Sequence, residues 1–414
     1  MSRTFVTPPV LRLVFSPTRT IGSLMRRASN LVTLAILAGL PLMPQRAQAS
    51  ESPGRIGVYA GFKEEVKSPE TLRETMKRIK ATGIDFIHCS GKEHAIFWDS
   101  QIAPRELVKN PTYLEKVLRC AHEEGLKVYP VFCVATEGGE GGPNVLLQRN
   151  PSWAFFYEGS RRGYIDPGNA EARRYEASLA SELVAKHNVD GLSLDYARCP
   201  NRVGYTDSGR VEFLDKYKVD LASIVSAGSA MLDTEGGKKS TSSGSATARA
   251  HPIWPQWRKW RVDQINRLVR ELGAAVREAK PGLPISSYVW GYHTYTGNYE
   301  VCQDWVTWIN EGILDWINPS GYRYDEASFR QAARLNREHV PTNFPYYITI
   351  GVKTSHGTLK NAAEIRRQME MAAAAGADGL VFFTWESLRP FADELSPDIK
   401  AYRRRDGRYL LGTQ

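Results

Sequence analysis

The 414-residue chain has little of what metal and redox centres are built from, with five cysteines and eight histidines. Cys89, Cys120, Cys133, Cys199 and Cys302 form no C-x-x-C pair and have no histidine at ligand spacing, which argues against the common zinc frameworks. The histidines are dispersed, so a metal-dependent deacetylase or phosphodiesterase is disfavoured and neither metal nor cofactor is expected. A Cys89–Cys133 disulfide is compatible with both residues ending neighbouring strands, and burial as unpaired thiols is an equally good reading.

The first 49 residues contain no Asp, Glu or Lys, but six Arg. They also carry the apolar run Leu31 to Met43 and then Ala47-Gln48-Ala49, the layout of a cleaved secretory signal. The run is shorter than the ~20 residues of a membrane span, so export to the periplasm or beyond is expected rather than stable membrane insertion. Without this segment the formal charge falls from +9 to +3, and the case for a nucleic-acid partner falls with it. The mature chain is then 50–414.

A glycine-rich dinucleotide turn is also missing. The first strand ends in Tyr59-Ala60-Gly61-Phe62-Lys63, which disfavours a doubly wound open sheet. What is present is a regular alternation. Strand patterns occur at Ile56–Ala60, Ile84–Cys89, Leu126–Phe132, Val189–Asp195, Pro284–Trp290, Leu314–Pro319, Tyr346–Gly351 and Gly379–Thr384. Helical spacing fills the seven gaps, at Pro69–Lys80, Tyr113–Glu124, Ala170–His187, Trp257–Lys280, Asp304–Glu311, Glu326–Arg337 and Ala362–Ala375. Eight apolar strands alternating with helices predict a parallel (β/α)8 barrel of the TIM type. Its long loops follow strand three (Val134–Tyr164) and strand four (residues 196–256, partly low-complexity), the latter with a helix expected over Val211–Ile224.

In such a barrel the chemistry lies at the carboxyl ends of the strands. Strand four reads Gly191-Leu192-Ser193-Leu194-Asp195, so Leu192 and Leu194 face the helices while Gly191, Ser193 and Asp195 face inward. The other strand ends contribute Tyr59, His88, Glu93, Glu137, Arg198, Trp290, Tyr322 and Glu386. Two carboxylates flanked by aromatic faces are what glycoside hydrolysis needs. Asp195 is the expected nucleophile or base and Glu386 the expected proton donor, with Tyr59, His88, Arg198, Trp290, Tyr322 and Trp385 as expected substrate contacts. Each has a plainer reading as well: Trp385 as core, Glu386 as a surface or capping residue, His88 as a barrel-interior imidazole, and Glu93 and Glu137 as solvated loop residues.

Tyr164-Ile165-Asp166-Pro167-Gly168-Asn169, a helix, and then Val189-Asp190-Gly191-Leu192-Ser193-Leu194-Asp195-Tyr196-Ala197-Arg198-Cys199-Pro200 resemble the bacterial glycosyl hydrolase-like family 10. Its pattern is a DPGN turn, a helix and DVDGIHFDDYRYP. The match runs on through Trp257-Arg258, Asp304-Trp305, Pro319 to Arg323 and Trp385-Glu386-Ser387-Leu388. The resemblance implies an exported barrel related to α-amylase-like hydrolases, acting on an oligo- or polysaccharide. It aligns Asp195 with the first Asp of the family's strand-four pair, Arg198 with its Arg, and Glu386 with the acid after strand eight. The second Asp of the pair is Tyr196 here, which leaves a catalytically impaired carbohydrate-binding barrel as the alternative.

Overall fold

A computed structural model describes residues 56–139, 141–200, 202–230, 248–291 and 301–404. The expected signal segment and most of the low-complexity run lie outside these residues. Eight parallel strands form the sheet: β1 (Ile56–Tyr59), β2 (Phe86–Lys92), β3 (Lys127–Cys133), β4 (Leu192–Asp195), β5 (Ile285–Val289), β6 (Trp316–Pro319), β7 (Tyr347–Gly351) and β8 (Gly379–Phe383). Each pairs with its sequence neighbour, and β8 pairs with β1. Between β6 and β7 the ring closes through the parallel bridges Ile317–Tyr346 and Ser320–Thr349. The expected barrel is therefore observed.

Around it lie α1 (Pro69–Thr82), α2 (Tyr113–Glu123), α3 (Ala170–Lys186), α4 (Trp254–Ala279), α5 (Trp305–Asn310), α6 (Glu326–His339), α7 (Ala362–Ala374) and α8 (Ala392–Arg404). Side chains that satisfy the first free N–H groups set where several of them start. Ser68 accepts from Thr71 N, Asn169 from Glu171 N and Ala172 N, Asp325 from Ser328 N, and Asn361 from Glu364 N. Helix α8 was not anticipated; it packs on α1, with Arg78 and Asp393 3.2 Å apart, and completes the outer layer.

Outward residues of the strands, such as Ile56, Val58, Ile87, Leu192 and Leu194, are fully buried beneath the helices. The inward residues are unusual in size. Phe86 sits among Tyr129, Trp316 and Tyr347, with ring centroids 5.5, 5.4 and 6.2 Å away. Rings of this bulk fit because inward neighbours lack a side chain. A Cβ on Gly57 would lie 2.2 Å from the Phe86 ring, and one on Gly191 would lie 2.1 Å from Tyr129.

Two sequence expectations are corrected, and the open choice between a disulfide and buried thiols is resolved. The segment after β3 is not simply a loop: Thr136–Gly139, Ala154–Tyr157 and Ser160–Ile165 form a small antiparallel sheet with the last strand in the centre. The helix expected over Val211–Ile224 is two, Asp207–Tyr217 and Leu221–Ala230, because Lys218 turns left-handed (φ 58°) and Asp220 starts the second by accepting from Ala222 N. All five cysteines are free and buried. Cys89 packs in the outer core while Cys133 faces the barrel interior, so the two thiols lie on opposite sides of the sheet.

Candidate functional site

The turn that holds the DPGN residues is structural. Asp166 is fully buried and accepts from Gly168 N and Ser208 N, which ties the start of α3 to the first helix of the strand-four insertion. Arg173 donates to the Pro167 and Gly168 carbonyls and pairs with Glu271 of α4 at 2.9 Å. This locks α3 against α4, and the strand that follows α3 delivers Asp195.

At the end of β4 the chain turns sharply. Tyr196 adopts φ 48°, a region that bulky residues rarely occupy, and its N–H folds back to donate to Asp195 Oδ1 at 2.6 Å. The Asp195 and Tyr196 carbonyls accept from Val134 N and Ala135 N, so the turn is pinned to the segment after β3. Asp195 is half-buried at the mouth. Burial raises its pKa to about 6; the Tyr196 N–H and the Arg198 charge oppose the rise, and Glu93 adds to it.

Arg198 is held over two aromatic faces, with its guanidinium carbon 4.4 Å from the Tyr196 ring centroid and 5.1 Å from that of Trp290. Trp290 is half-buried, and its backbone N–H donates to Gln303 Oε1 at 2.9 Å. Tyr288 and Tyr322, 5.9 Å apart, and Phe383, 5.6 Å from Tyr322, continue the wall. Burial raises the pKa of both phenols, and the Asp195 charge adds to it, so they stand protonated around the carboxyl group.

Tyr59 and His88 lie deeper. Tyr59 stacks on His88 at 4.5 Å and its hydroxyl accepts from Asn318 Nδ2 at 2.9 Å. Burial drives the His88 pKa down to about 3, so the imidazole is neutral; it packs against Phe86, Tyr129 and Trp316 with only 1% of its surface exposed. As placed, His88 supports the floor and does not reach the mouth. Trp385 is likewise sealed in the outer core at 1% exposure, so its plainer reading describes its position.

The carboxylates divide differently from the sequence reading. Glu386 is exposed in the first turn of the short helix Trp385–Leu388. Glu93, half-buried just past β2, carries a charge that raises the Asp195 pKa. Glu137 is not at the mouth at all: it is buried beside Lys92, with Oε1 2.9 Å from Nζ, and Glu176 of α3 lies 3.0 Å from the same ammonium. Lys92 also donates to the Cys133 and Thr136 carbonyls. Burial would lower the Lys92 pKa, but the two carboxylates outweigh it and raise it; burial, reinforced by Glu137, raises that of Glu176 well above the carboxylate range. No sequence spacing marks this cluster, because Glu176 arrives from a helix beyond the small antiparallel sheet. Among the described residues no group of three or more His, Cys, Asp or Glu is arranged to hold a metal ion.

The glycosyl hydrolase-like 10 model matches residues 60–362. A curated relative, glycosyl hydrolase DigH of Escherichia coli (strain K12), is 22% identical over 290 residues, which cover 61% of this chain and 58% of the relative. The chain therefore spans less than two thirds of that relative's length. Among solved structures the fold is similar to the PgaB (BpsB) glycoside hydrolase domain from Bordetella bronchiseptica, with a TM-score of 0.60, 13% identity, and coverage of 83% of this chain and 98% of that one. It is also similar to the catalytic domain of β-amylase from Paenibacillus polymyxa, with a TM-score of 0.57, 12% identity, and coverage of 84% and 98%. With its strand-four motif, its closed barrel and this match over most of its length, the chain belongs to the glycosyl hydrolase-like 10 family.

Proposed function

We propose that the protein is an exported glycoside hydrolase acting on a polysaccharide or cell-envelope glycan, with Asp195 and Glu93 as its two working carboxyl groups. The observation that carries this reading is the Asp195 carboxyl group, set among aromatic walls and kept protonated to about pH 6, with the Glu93 charge acting on it. Glycosidases separate acid from base by placing two carboxyl groups in environments that push their pKa values apart. The group with the raised pKa is suited to protonate the leaving oxygen. That role goes to Asp195 and the basic or nucleophilic role to Glu93, which exchanges the role expected for Asp195 from sequence and moves the partner from Glu386 to Glu93. Trp290, Tyr322 and Tyr196 offer faces for sugar rings, and Arg198 offers donors for hydroxyl or carboxylate substituents.

The experiment is incubation of the protein with a panel of envelope and plant polysaccharides, with new reducing ends followed by mass spectrometry. Sugar release that is lost in Asp195→Asn supports the proposal, and undiminished release in that variant ends it. Tyr196, standing where the family has a second Asp, favours one other reading, a barrel that binds glycan without cleaving it. Equilibrium binding with no product after long incubation is its signature.

A further inference from the structure

The buried ammonium of Lys92 reaches its place through an irregularity in β2. Phe86 and His88 face the barrel interior while Ile87 and Cys89 pack outside, so strict alternation would turn Lys92 inward. A bulge intervenes: Ser90 pairs with Val131, but it is Lys92, not Gly91, that pairs with Phe132. The strands run close there, since a Cβ on Gly91 would lie 2.8 Å from the Val131 carbonyl oxygen. The extra residue puts Lys92 on the outer side with Phe132, and Nζ lies 5.3 Å from that ring's centroid. From this position the ammonium grips the end of β3, donating to the Cys133 carbonyl at 2.7 Å and to the Thr136 carbonyl at 3.2 Å. The two residues between them bind the strand-four turn: Val134 N–H donates to the Asp195 carbonyl at 2.8 Å and Ala135 N–H to the Tyr196 carbonyl at 3.2 Å. One short stretch thus carries the ammonium on its outer carbonyls and the Asp195–Tyr196 turn on its inner amides. Glu137 and Glu176, 2.9 and 3.0 Å from Nζ, hold the ammonium in turn, and Glu176 sits on α3, the helix that leads into β4. A buried charge keeps such contacts because losing them is costly.

We propose that Lys92 is a positioning residue for Asp195, acting through the stretch from Cys133 to Thr136 to hold the Asp195–Tyr196 turn in place. The role rests on the reading of Asp195 as a working carboxyl group. Lys92 itself, 1% exposed, meets no substrate. A displacement of about 1 Å at a reacting group is enough to cost ~10² in rate, so slack in this stretch reaches kcat. The substrate contacts proposed at Arg198, Trp290 and Tyr322 are made by other side chains, so KM is largely kept.

The test compares Lys92→Met with the unsubstituted chain, well below the variant's melting temperature. On a glycan that the parent cleaves, kcat is expected to fall at least ~10-fold with KM kept within ~3-fold. A kcat equal to the parent's overturns the proposal. Hydrogen–deuterium exchange read by mass spectrometry is expected to quicken at least ~10-fold in peptides covering 133–136 and 195–198, while peptides of β6, β7 and β8 exchange as in the parent. Acceleration shared evenly by all strands marks a merely structural role and overturns it. Where neither protein cleaves any glycan, the hydrolase reading fails, and exchange alone decides whether Lys92 holds the turn. Where the variant does not fold, exchange in the unsubstituted chain decides: amides of 133–136 as slow as those of β3 support the tether, and exchange there at least ~10²-fold faster overturns it.

Discussion

The backbone N–H of Tyr196 donates to the carboxylate of Asp195, its immediate predecessor, across 2.6 Å. The bond sits beside the left-handed turn at Tyr196 (φ 48°) and fixes one oxygen of the carboxyl group at the end of β4. It also favours the ionised form, against the larger effect of burial.

The net result is a carboxyl group whose folded-state pKa, about 6, lies above its unfolded value of about 3.9. Below pH ~4 the group is protonated in both states and contributes no pH dependence; between ~4 and ~6 the unfolded chain ionises first, and stability falls as pH rises. Asp195→Asn is therefore expected to raise the melting temperature above pH 6 and to leave it unchanged below pH 4. Thermal unfolding across that range checks it, and a variant less stable at neutral pH contradicts it.

If Asp195 donates the proton in catalysis, sugar release declines as pH climbs through about 6, and Asp195→Asn lowers kcat by ~10²–10⁴. A rate that climbs through the same interval assigns Asp195 the base role instead. Initial rates against pH on one fixed substrate separate the two.

Glu93 and Glu386 give a direct comparison. Glu93→Gln is expected to cost at least ~10² in kcat, while Glu386→Gln, altering an exposed residue, stays within a few-fold of the parent. Steady-state kinetics on the two variants side by side provide the check, and the reverse order of losses places the second carboxyl group after β8.

The Lys92 cluster makes an unequal forecast for its members. Lys92→Met leaves two buried carboxyl groups without their cation and is expected to cost about 3–5 kcal/mol. Burial, reinforced by Glu137, raises the Glu176 pKa, so Glu176→Gln removes a carboxyl group that resists ionisation and is expected to cost less than Lys92→Met. Denaturant titration of both variants tests the asymmetry.

Gly191→Ala places a methyl group 2.1 Å from the Tyr129 ring and is expected to destabilise by about 1–3 kcal/mol. The same substitution at Gly282, where an added Cβ meets nothing within 4 Å, lacks that clash; its φ of 79° still carries a conformational cost. Comparing the two melting temperatures separates steric overlap from backbone preference.

The barrel was legible because each strand is a short apolar run beginning and ending near turn residues, and each helix repeats its apolar positions on one face. Asp195 was legible for the same reason: alternation along Gly191-Leu192-Ser193-Leu194-Asp195 dictates which way it points. The antiparallel sheet after β3 was not, since its strands are four to six residues long and two of them, Thr136–Gly139 and Ser160–Ile165, carry glycines or arginines where a pattern would need apolar residues. Nor was the Lys92–Glu137–Glu176 contact, which three separate elements assemble. Glu386 was chosen for its place after β8, but place along the chain does not convey exposure, and the residue stands exposed on the short helix Trp385–Leu388. Trp385 and His88 show the same limit from the other side, as residues at strand ends whose side chains turn into packed interior.

The ring of Phe86, Tyr129, Trp316 and Tyr347 stops up the lower half of the cylinder. Nothing can be threaded through the molecule from end to end; on the proposed function, a glycan therefore approaches Asp195 from the rim, and steric selection passes to the loops that stand around it.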